Sequence, residues 1–388
     1  MRVCDLALFS PETSSGVKTY ITSKIAYMRT RKDVEHVVIV PGRKPGVTRQ
    51  GRSKIIVVRG LPSFYPGIRI ALNLWQVAEI VERERPDVIE LNCQYTLPWA
   101  AFLATRRSRA PVVGVYHTDV PACVRHMAKG AGAAIAAAAE RITEFYVGLI
   151  YRHYTMTIFG NPALRDRLGR LGVERMCFVP RGVDSATFTP ARRDAAWRAR
   201  MGIGPESTVL VYAGRLSVEK ELDVLFGAFD RLPAGRFALV IAGDGPNADA
   251  TARHAATRRG IHYIGHVESR AELASIYASS DICVSPGRYE NFPMAAIEAV
   301  AAGLPVVGIR GSGTETFVPP EIGVLASAGD AQGFADAIAT VAGWPLDTSR
   351  EARHAFAAER YSWDLVIEQY LEVYRRAISE DPDARVSR

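Results

Sequence analysis

"DICVSPGRYENFPMAAIEAVAAGLPVVGI", residues 281–309, contains a complete unit of architecture. "DICVSPG" reads as a buried strand that stops at a Pro-Gly turn, since a short apolar run bounded by turn residues suits a strand covered on both faces. "FPMAAIEAVAAG" reads as a helix with Pro293 in its first turn, Asn291 as N-cap and Gly303 at its end. The apolar run 305–309 is then the next strand, so the stretch is a parallel strand–helix–strand crossover.

The same alternation continues along the chain, giving the class α/β. The expected strands are 2–9, 36–40, 54–58, 87–92, 111–116 and 155–159, then 208–213, 237–242, 261–264, 281–285, 305–309 and 322–326. The charged, Gly- and Pro-containing stretch "RRDAAWRARMGIGPES" separates the two sets. The expected organisation is an N-terminal domain over 1–184, a connector over 185–207 and a C-terminal domain over 208–361. A terminal helix over 362–379 packs back toward the first domain, and 380–388 is a tail. Two Rossmann-like, doubly wound domains facing each other would border one cleft with the carboxyl ends of their strands, where ligands bind in such sheets.

The 388 residues, 48% of them hydrophobic, suffice for two cores. The net charge of +7 is mild and dispersed. It suits anionic substrates or an anionic lipid surface and gives no nucleic-acid signature. Cys4, Cys93, Cys123, Cys177 and Cys283 lack metal-ligand spacing and read as buried thiols in a reducing cytosol. "MRVCDLALFS" carries Asp5 and is a first strand, not a signal peptide. No run approaches the ~20 apolar residues of a membrane span.

Glu290 lies in the loop after a strand and Glu298 inside the helix that follows. A carboxylate matches a vicinal diol with its two oxygens, so this pair beside a helix N-terminus suits a sugar nucleotide. The alternative is a surface Glu290 and a Glu298 paired with a nearby Arg. "VLVYAGRLSVEKELDVLFGAF", 209–229, is strand, Gly turn and helix, with Arg215 and Lys220 beside the helix start. Two such cations hold a diphosphate, or cap the helix and pair with Glu219 or Glu221. His117 stands just past the strand of "PVVGVYHTDVP", which ends at Tyr116, and Gly16 in "SPETSSGVKTYI" allows close backbone approach to a ligand; a structural histidine and a plain turn are the alternatives.

Together, Glu-x7-Glu at 290–298 with "AVAAGLPVV", the "AGRLSVEK" turn, "VIAGDGP", "RGVDSATFTP" and "HTD" resemble glycosyltransferase family 4, in family order and over almost the whole chain. The resemblance implies the two-domain GT-B fold and retaining, metal-independent transfer of a hexose from a UDP- or GDP-linked sugar. The acceptor would be a carbohydrate or a lipid. It implies that Glu298 holds the donor ribose, Glu290 touches the transferred sugar and Arg215 and Lys220 clamp the diphosphate. Asn291 and Phe292 belong to the same donor loop. His117 would face the reacting sugar, Gly16 the phosphates, and the backbone around Val267 would cradle the base. No cofactor and no metal are expected; the one DxD, Asp381 to Asp383, lies in the tail.

This chain departs from the family in "ENFP", where Pro293 removes an N–H that could face the phosphates, and in "EKE", where Glu221 replaces the usual Gly as a local offset to the clamp. Arg181 replaces a common Asn. A sugar-nucleotide epimerase or hydrolase, or an inactive nucleotide-sugar-binding subunit, are the competing readings. The segment Val120–Tyr154 carries Arg125, His126, Lys129 and Arg141 beside Phe145, Tyr146 and Leu149. It either meets an anionic membrane from the cytoplasmic side or packs its apolar positions inside the first domain.

Overall fold

The computed structural model describes residues 1–8, 16–63 and 69–380. In chain order its strands are β1 (Arg2–Leu6), β2 (Glu35–Gly42), β3 (Gly46–Gln50), β4 (Ser53–Arg59), β5 (Leu61–Pro62), β6 (Arg69–Ile70), β7 (Val88–Leu91) and β8 (Val112–Tyr116). There follow β9 (Met156–Phe159), β10 (Met176–Phe178), β11 (Thr208–Ala213), β12 (Phe237–Ala242), β13 (Ile261–Gly265), β14 (Ile282–Val284), β15 (Val306–Ile309) and β16 (Gly323–Ala326). By contact density the chain divides into two compact units. The first holds residues 1–121, 138–182 and 363–388; the second holds 122–137 and 183–362.

In the first unit the sheet order is β10-β9-β8-β7-β1-β2-β4-β3. Its pairs are parallel except β3–β4. The strands of the sheet's centre are covered on both faces, which is why β8, "VVGVY", is apolar and buried throughout. The pairing register sets Asp5 beside Glu90 on adjacent strands β1 and β7, a placement of two acids that needs a cation close by. The last helix, Trp363–Glu380, buries Tyr370 and Tyr374 in this unit.

The second unit's sheet, β13-β12-β11-β14-β15-β16, is wholly parallel. This is the 3-2-1-4-5-6 order of dinucleotide-binding folds, with its switch point between β11 and β14. Residues 183–207 are built into this unit, where Phe188, Trp197 and Ile203 lie in its core.

All twelve strands read from the sequence are present, with ends shifted by up to three residues; the first stops at Leu6, and Phe9 lies outside the described residues. The edge strand β3 escaped the sequence reading because "GVTRQ" is exposed at every position and so carries no apolar pattern. Asn291 is not an N-cap. The helix is Met294–Ala301 and Pro293 occupies the capping position in extended conformation with no side-chain cap, because proline's fixed φ favours a helix entry.

Candidate functional site

The loops after β11 and β14 adjoin at the switch point of the second unit. The loop after β12 closes on the loop after β11 through glycine. A Cβ on Gly243, at φ +155°, would stand 1.9 Å from the Gly214 carbonyl oxygen, and one on Gly245 would meet the Leu216 carbonyl at 2.5 Å. The "AGRL" and "AGDG" turns therefore touch backbone to backbone. On the other side, Gly313 donates its N–H to the Glu290 carbonyl at 2.6 Å, and a Cβ there would lie 2.1 Å from the Asn291 carbonyl oxygen. Asn291 is buried, and Phe292 packs on Phe317 with ring centroids 5.0 Å apart. The loop that carries Glu290, Asn291 and Phe292 thus rests on a rigid floor.

Within that frame Lys220 donates to the Glu290 carboxylate. Burial works against the ammonium, but the Glu290 charge and hydrogen bond outweigh it and hold the Lys220 pKa above its ordinary value. Glu219 instead accepts from the Ser217 hydroxyl at 2.6 Å. Glu221, expected beside Arg215 and Lys220 as a local offset to their charge, turns its carboxylate to Arg288. It sits in left-handed backbone at φ 51°, and its carboxylate accepts from the Arg288 N–H at 3.0 Å and the Arg288 Nε at 2.6 Å. Arg215 leaves the same turn, half-buried, with its carbonyl accepting from the Tyr212 hydroxyl at 3.0 Å.

Glu298, on the helix Met294–Ala301, accepts from Arg270 Nη2 at 3.0 Å, which is the ion pair that its alternative reading anticipated. Burial pushes its carboxyl up and Arg270 pulls it down, leaving the pKa raised to about 6. Arg270 itself lies over the Phe188 ring at 4.8 Å. Val267, half-buried, follows β13 and precedes the helix that Ser269 caps. Among the described residues no group of three or more His, Cys, Asp or Glu stands together as a metal site.

In the first unit His117 follows β8, its ring tilted against Tyr20 at 5.8 Å between centroids and its Nε2 2.6 Å from Asn92 Oδ1. Gly16 is the first residue of the helix Gly16–Met28 that carries Tyr20; Ser15 and the loop before it lie outside the described residues. The structure brings Lys220 and Glu290 together in one unit, and sets Gly16 and His117 in the other. Sequence reasoning missed Arg270, Arg288 and Asn92. Each acts through a contact across the fold, at sequence separations of 28, 67 and 25 residues, and no local pattern marks such a partner.

Of the surface segment, the helix Ala133–Tyr151 buries Val147, Ile150 and Tyr151 but leaves Ile142 and Phe145 each 70% exposed beside Arg141. Tyr146 is held between Trp99, whose Nε1 donates to it at 3.2 Å, and the Tyr95 carbonyl at 2.7 Å. Among the described residues no helix is long and apolar enough to cross a membrane. Cys93 and Cys283 are buried, which pushes both thiols up to about 12 and leaves them unreactive.

Two Rossmann-like sheets of these orders are those of the GT-B glycosyltransferases, and solved structures agree. Sucrose-phosphate synthase from Thermosynechococcus elongatus matches over 97% of this chain and 99% of its own, with TM-score 0.79 at 18% identity. Anabaena HepE in complex with UDP-glucose matches over 97% and 100%, with TM-score 0.73 at 17% identity; both are likenesses of fold. The family follows from sequence. The model of Glycosyltransferase Family 4 matches residues 14–187 and that of Glycosyl transferases group 1 matches residues 207–343. A GDP-mannose-dependent alpha-mannosyltransferase of Corynebacterium glutamicum is 26% identical over 98% of this chain and 90% of its own. A GDP-mannose-dependent alpha-(1-6)-phosphatidylinositol dimannoside mannosyltransferase of Mycobacterium tuberculosis is 29% identical over 94% and 93%. The chain belongs to glycosyltransferase family 4 and is a glycosyltransferase enzyme.

Proposed function

We propose that this enzyme transfers a hexose, with retention and without a metal, from a nucleoside-diphosphate sugar to a hydroxyl of a carbohydrate or lipid. The observation that carries the reading is the Lys220–Glu290 pair at the switch point of the second unit, a cation and an acid held on a glycine-built floor. In it, Arg215 and Lys220 take the diphosphate together with the first-turn N–H groups of Met294 and Ala295, which no intrahelical carbonyl uses. The charge that builds on the leaving phosphate is stabilised where it forms. Glu298 holds the ribose diol, releasing Arg270; Glu290 takes a hydroxyl of the sugar, releasing Lys220 to the phosphate. Asn291 and Phe292 shape the sugar end, Gly16 approaches the phosphates, the backbone at Val267 meets the base, and His117 is assigned to the reacting sugar. The acceptor hydroxyl attacks on the face the nucleotide leaves, and its proton passes to the leaving phosphate.

Pro293 supplies no N–H, so the phosphates have one donor fewer at this entry than a residue with an N–H would give. Two relatives spanning nearly the whole chain are by name GDP-mannose-dependent, which makes GDP-mannose the first donor to test and UDP-glucose the second. The exposed Ile142 and Phe145 beside Arg141 support a lipid acceptor met at an anionic membrane surface from the cytoplasm.

The test is a thermal-shift screen against GDP, UDP and their sugars, followed by nucleotide release with lipid and sugar acceptors. Arg215→Ala and Lys220→Ala should each lower turnover about 10²- to 10³-fold without unfolding the protein. Folded variants with wild-type turnover would remove the clamp, and donor consumption without acceptor would favour the hydrolase or epimerase. Turnover unchanged by EDTA is expected, and binding to anionic vesicles that falls with salt is the sign of the membrane surface.

A further inference from the structure

His117 is the end of a chain of hydrogen bonds that runs into the centre of the first unit. Asn92, the residue after β7, sets its Oδ1 2.6 Å from His117 Nε2, and its Nδ2 donates to Glu90 Oε1 at 2.7 Å. Glu90 is wholly buried and receives the Tyr20 hydroxyl at 3.0 Å, the Tyr374 hydroxyl, and Lys24 Nζ at 3.2 Å. Lys24, also wholly buried, binds Asp5 at 2.8 Å, and Asp5 in turn meets His36 Nε2 at 2.9 Å, whose Nδ1 reaches Ser53 at 2.9 Å.

The direction of the two Asn92 bonds follows from Glu90. A carboxylate ringed by three other donors only accepts, so Asn92 must turn its NH₂ toward Glu90 and its carbonyl oxygen toward His117. The flipped amide would place two acceptors 2.7 Å apart inside a dry core. Facing a carbonyl oxygen, the His117 Nε2 must carry the proton. In the neutral ring Nδ1 then keeps its lone pair.

We propose that Asn92, locked by Glu90, is a positioning residue that holds His117 as the Nε2–H tautomer and so fixes Nδ1 as its hydrogen-bond acceptor. This deepens the reading above and rests on it: a sugar hydroxyl would donate to Nδ1, and the imidazole could not instead donate to a sugar oxygen without first gaining a proton. Three segments far apart in the chain set this one atom, since Tyr374 and Lys24 hold the Glu90 that orients Asn92.

Protein labelled with ¹⁵N-histidine tests it, with the His117 signals identified by their loss in His117→Gln. The expected wild-type result is a downfield imidazole proton bonded to His117 Nε2 and sheltered from exchange with water. It should disappear in Asn92→Ala, where nothing holds it. Glu90→Gln should weaken it by freeing the amide to turn. A proton found on Nδ1, or an Nε2 proton equally protected in Asn92→Ala, overturns the assignment. With donor and acceptor in hand, Asn92→Ala should lose kcat by about 10- to 100-fold, taking as the scale what a metal-bound histidine loses with its outer partner, with donor KM nearly unchanged. If His117→Gln keeps wild-type turnover while the tautomer result stands, it is the sugar-facing role of His117 that fails, not the positioning by Asn92.

Discussion

Both units carry a lysine between acids, and the two lysines are held in opposite ways. Lys24, with Asp5 and Glu90, has no exposure at all, and its partners are all protein. Lys220 and Glu290 keep 21% and 22% of their side-chain surface, and Arg270 beside Glu298 keeps 43%. A sealed network can only fix geometry, because no ligand can reach in to exchange with it. A half-open pair can give up its partner to a phosphate or a hydroxyl at small cost. The first arrangement therefore suits a site that must be aimed, the second a site that must be vacated and refilled.

The sharpest way to break the contrast is the same substitution at both lysines. Lys24→Met leaves two register-paired carboxylates buried without their ammonium, and should cost the first unit about 3–5 kcal/mol. Lys220→Met removes a pair that water still reaches, and should cost about 1 kcal/mol or less. Urea unfolding of both variants decides it; equal losses would mean that the second pair is structural too.

Next in size is the glycine floor. Gly243→Ala puts a Cβ within 1.9 Å of a backbone oxygen at a φ that side chains seldom adopt, so the two turns must part. The expected loss is about 1–3 kcal/mol in the second unit together with failure to bind nucleotide, read by melting with and without GDP or UDP. Gly46→Ala, with nothing within 4 Å of its Cβ, is the matched control and should change neither.

A third test turns on pH. The folded Glu298 pKa, about 6, lies above the ordinary 4.5. Between these values the unfolded chain holds fewer protons than the folded one, so this residue's contribution to stability falls as pH rises and is level above about 6. The gap corresponds to about 2 kcal/mol. Melting temperatures of Glu298→Gln minus wild type should therefore rise from pH 4.5 to 7 and then flatten. A difference that does not vary with pH would mean that Arg270 already offsets the burial.

These tests also separate what a sequence can and cannot reveal. The strands were legible because covered parallel strands are short apolar runs, and the donor-side turns because a backbone that must approach another backbone needs glycine at fixed spacing. Glu290, Lys220 and His117 were legible as positions at strand ends. Their partners were not. Asn92 sits in "LNCQ" and Arg270 in "ESRAEL" with nothing local to distinguish them from a strand end and a helix start. Pro293 was read two residues too deep because Asn291 has the chemistry of an N-cap, whereas proline set the boundary instead.

The smallest expected effect on stability is the most informative about the open site. Glu221 holds a left-handed conformation that glycine adopts without strain, and in exchange its carboxylate ties Arg288 of the Glu290 loop to the Lys220 turn. Glu221→Gly removes a strain of about 1–2 kcal/mol and an ion pair of comparable size, so the melting curve should barely move. The loop bearing Glu290 is then no longer moored, and nucleotide-sugar affinity should weaken about 3- to 10-fold, the loss of roughly 1 kcal/mol of preorganisation. Glu221→Gln, which keeps the strain and loses the charge, should be the less stable of the two variants with a similar loss of affinity. Unchanged affinity in both would show that the tether between the turns has no part in holding the donor, and that the floor of glycines alone sets the loop.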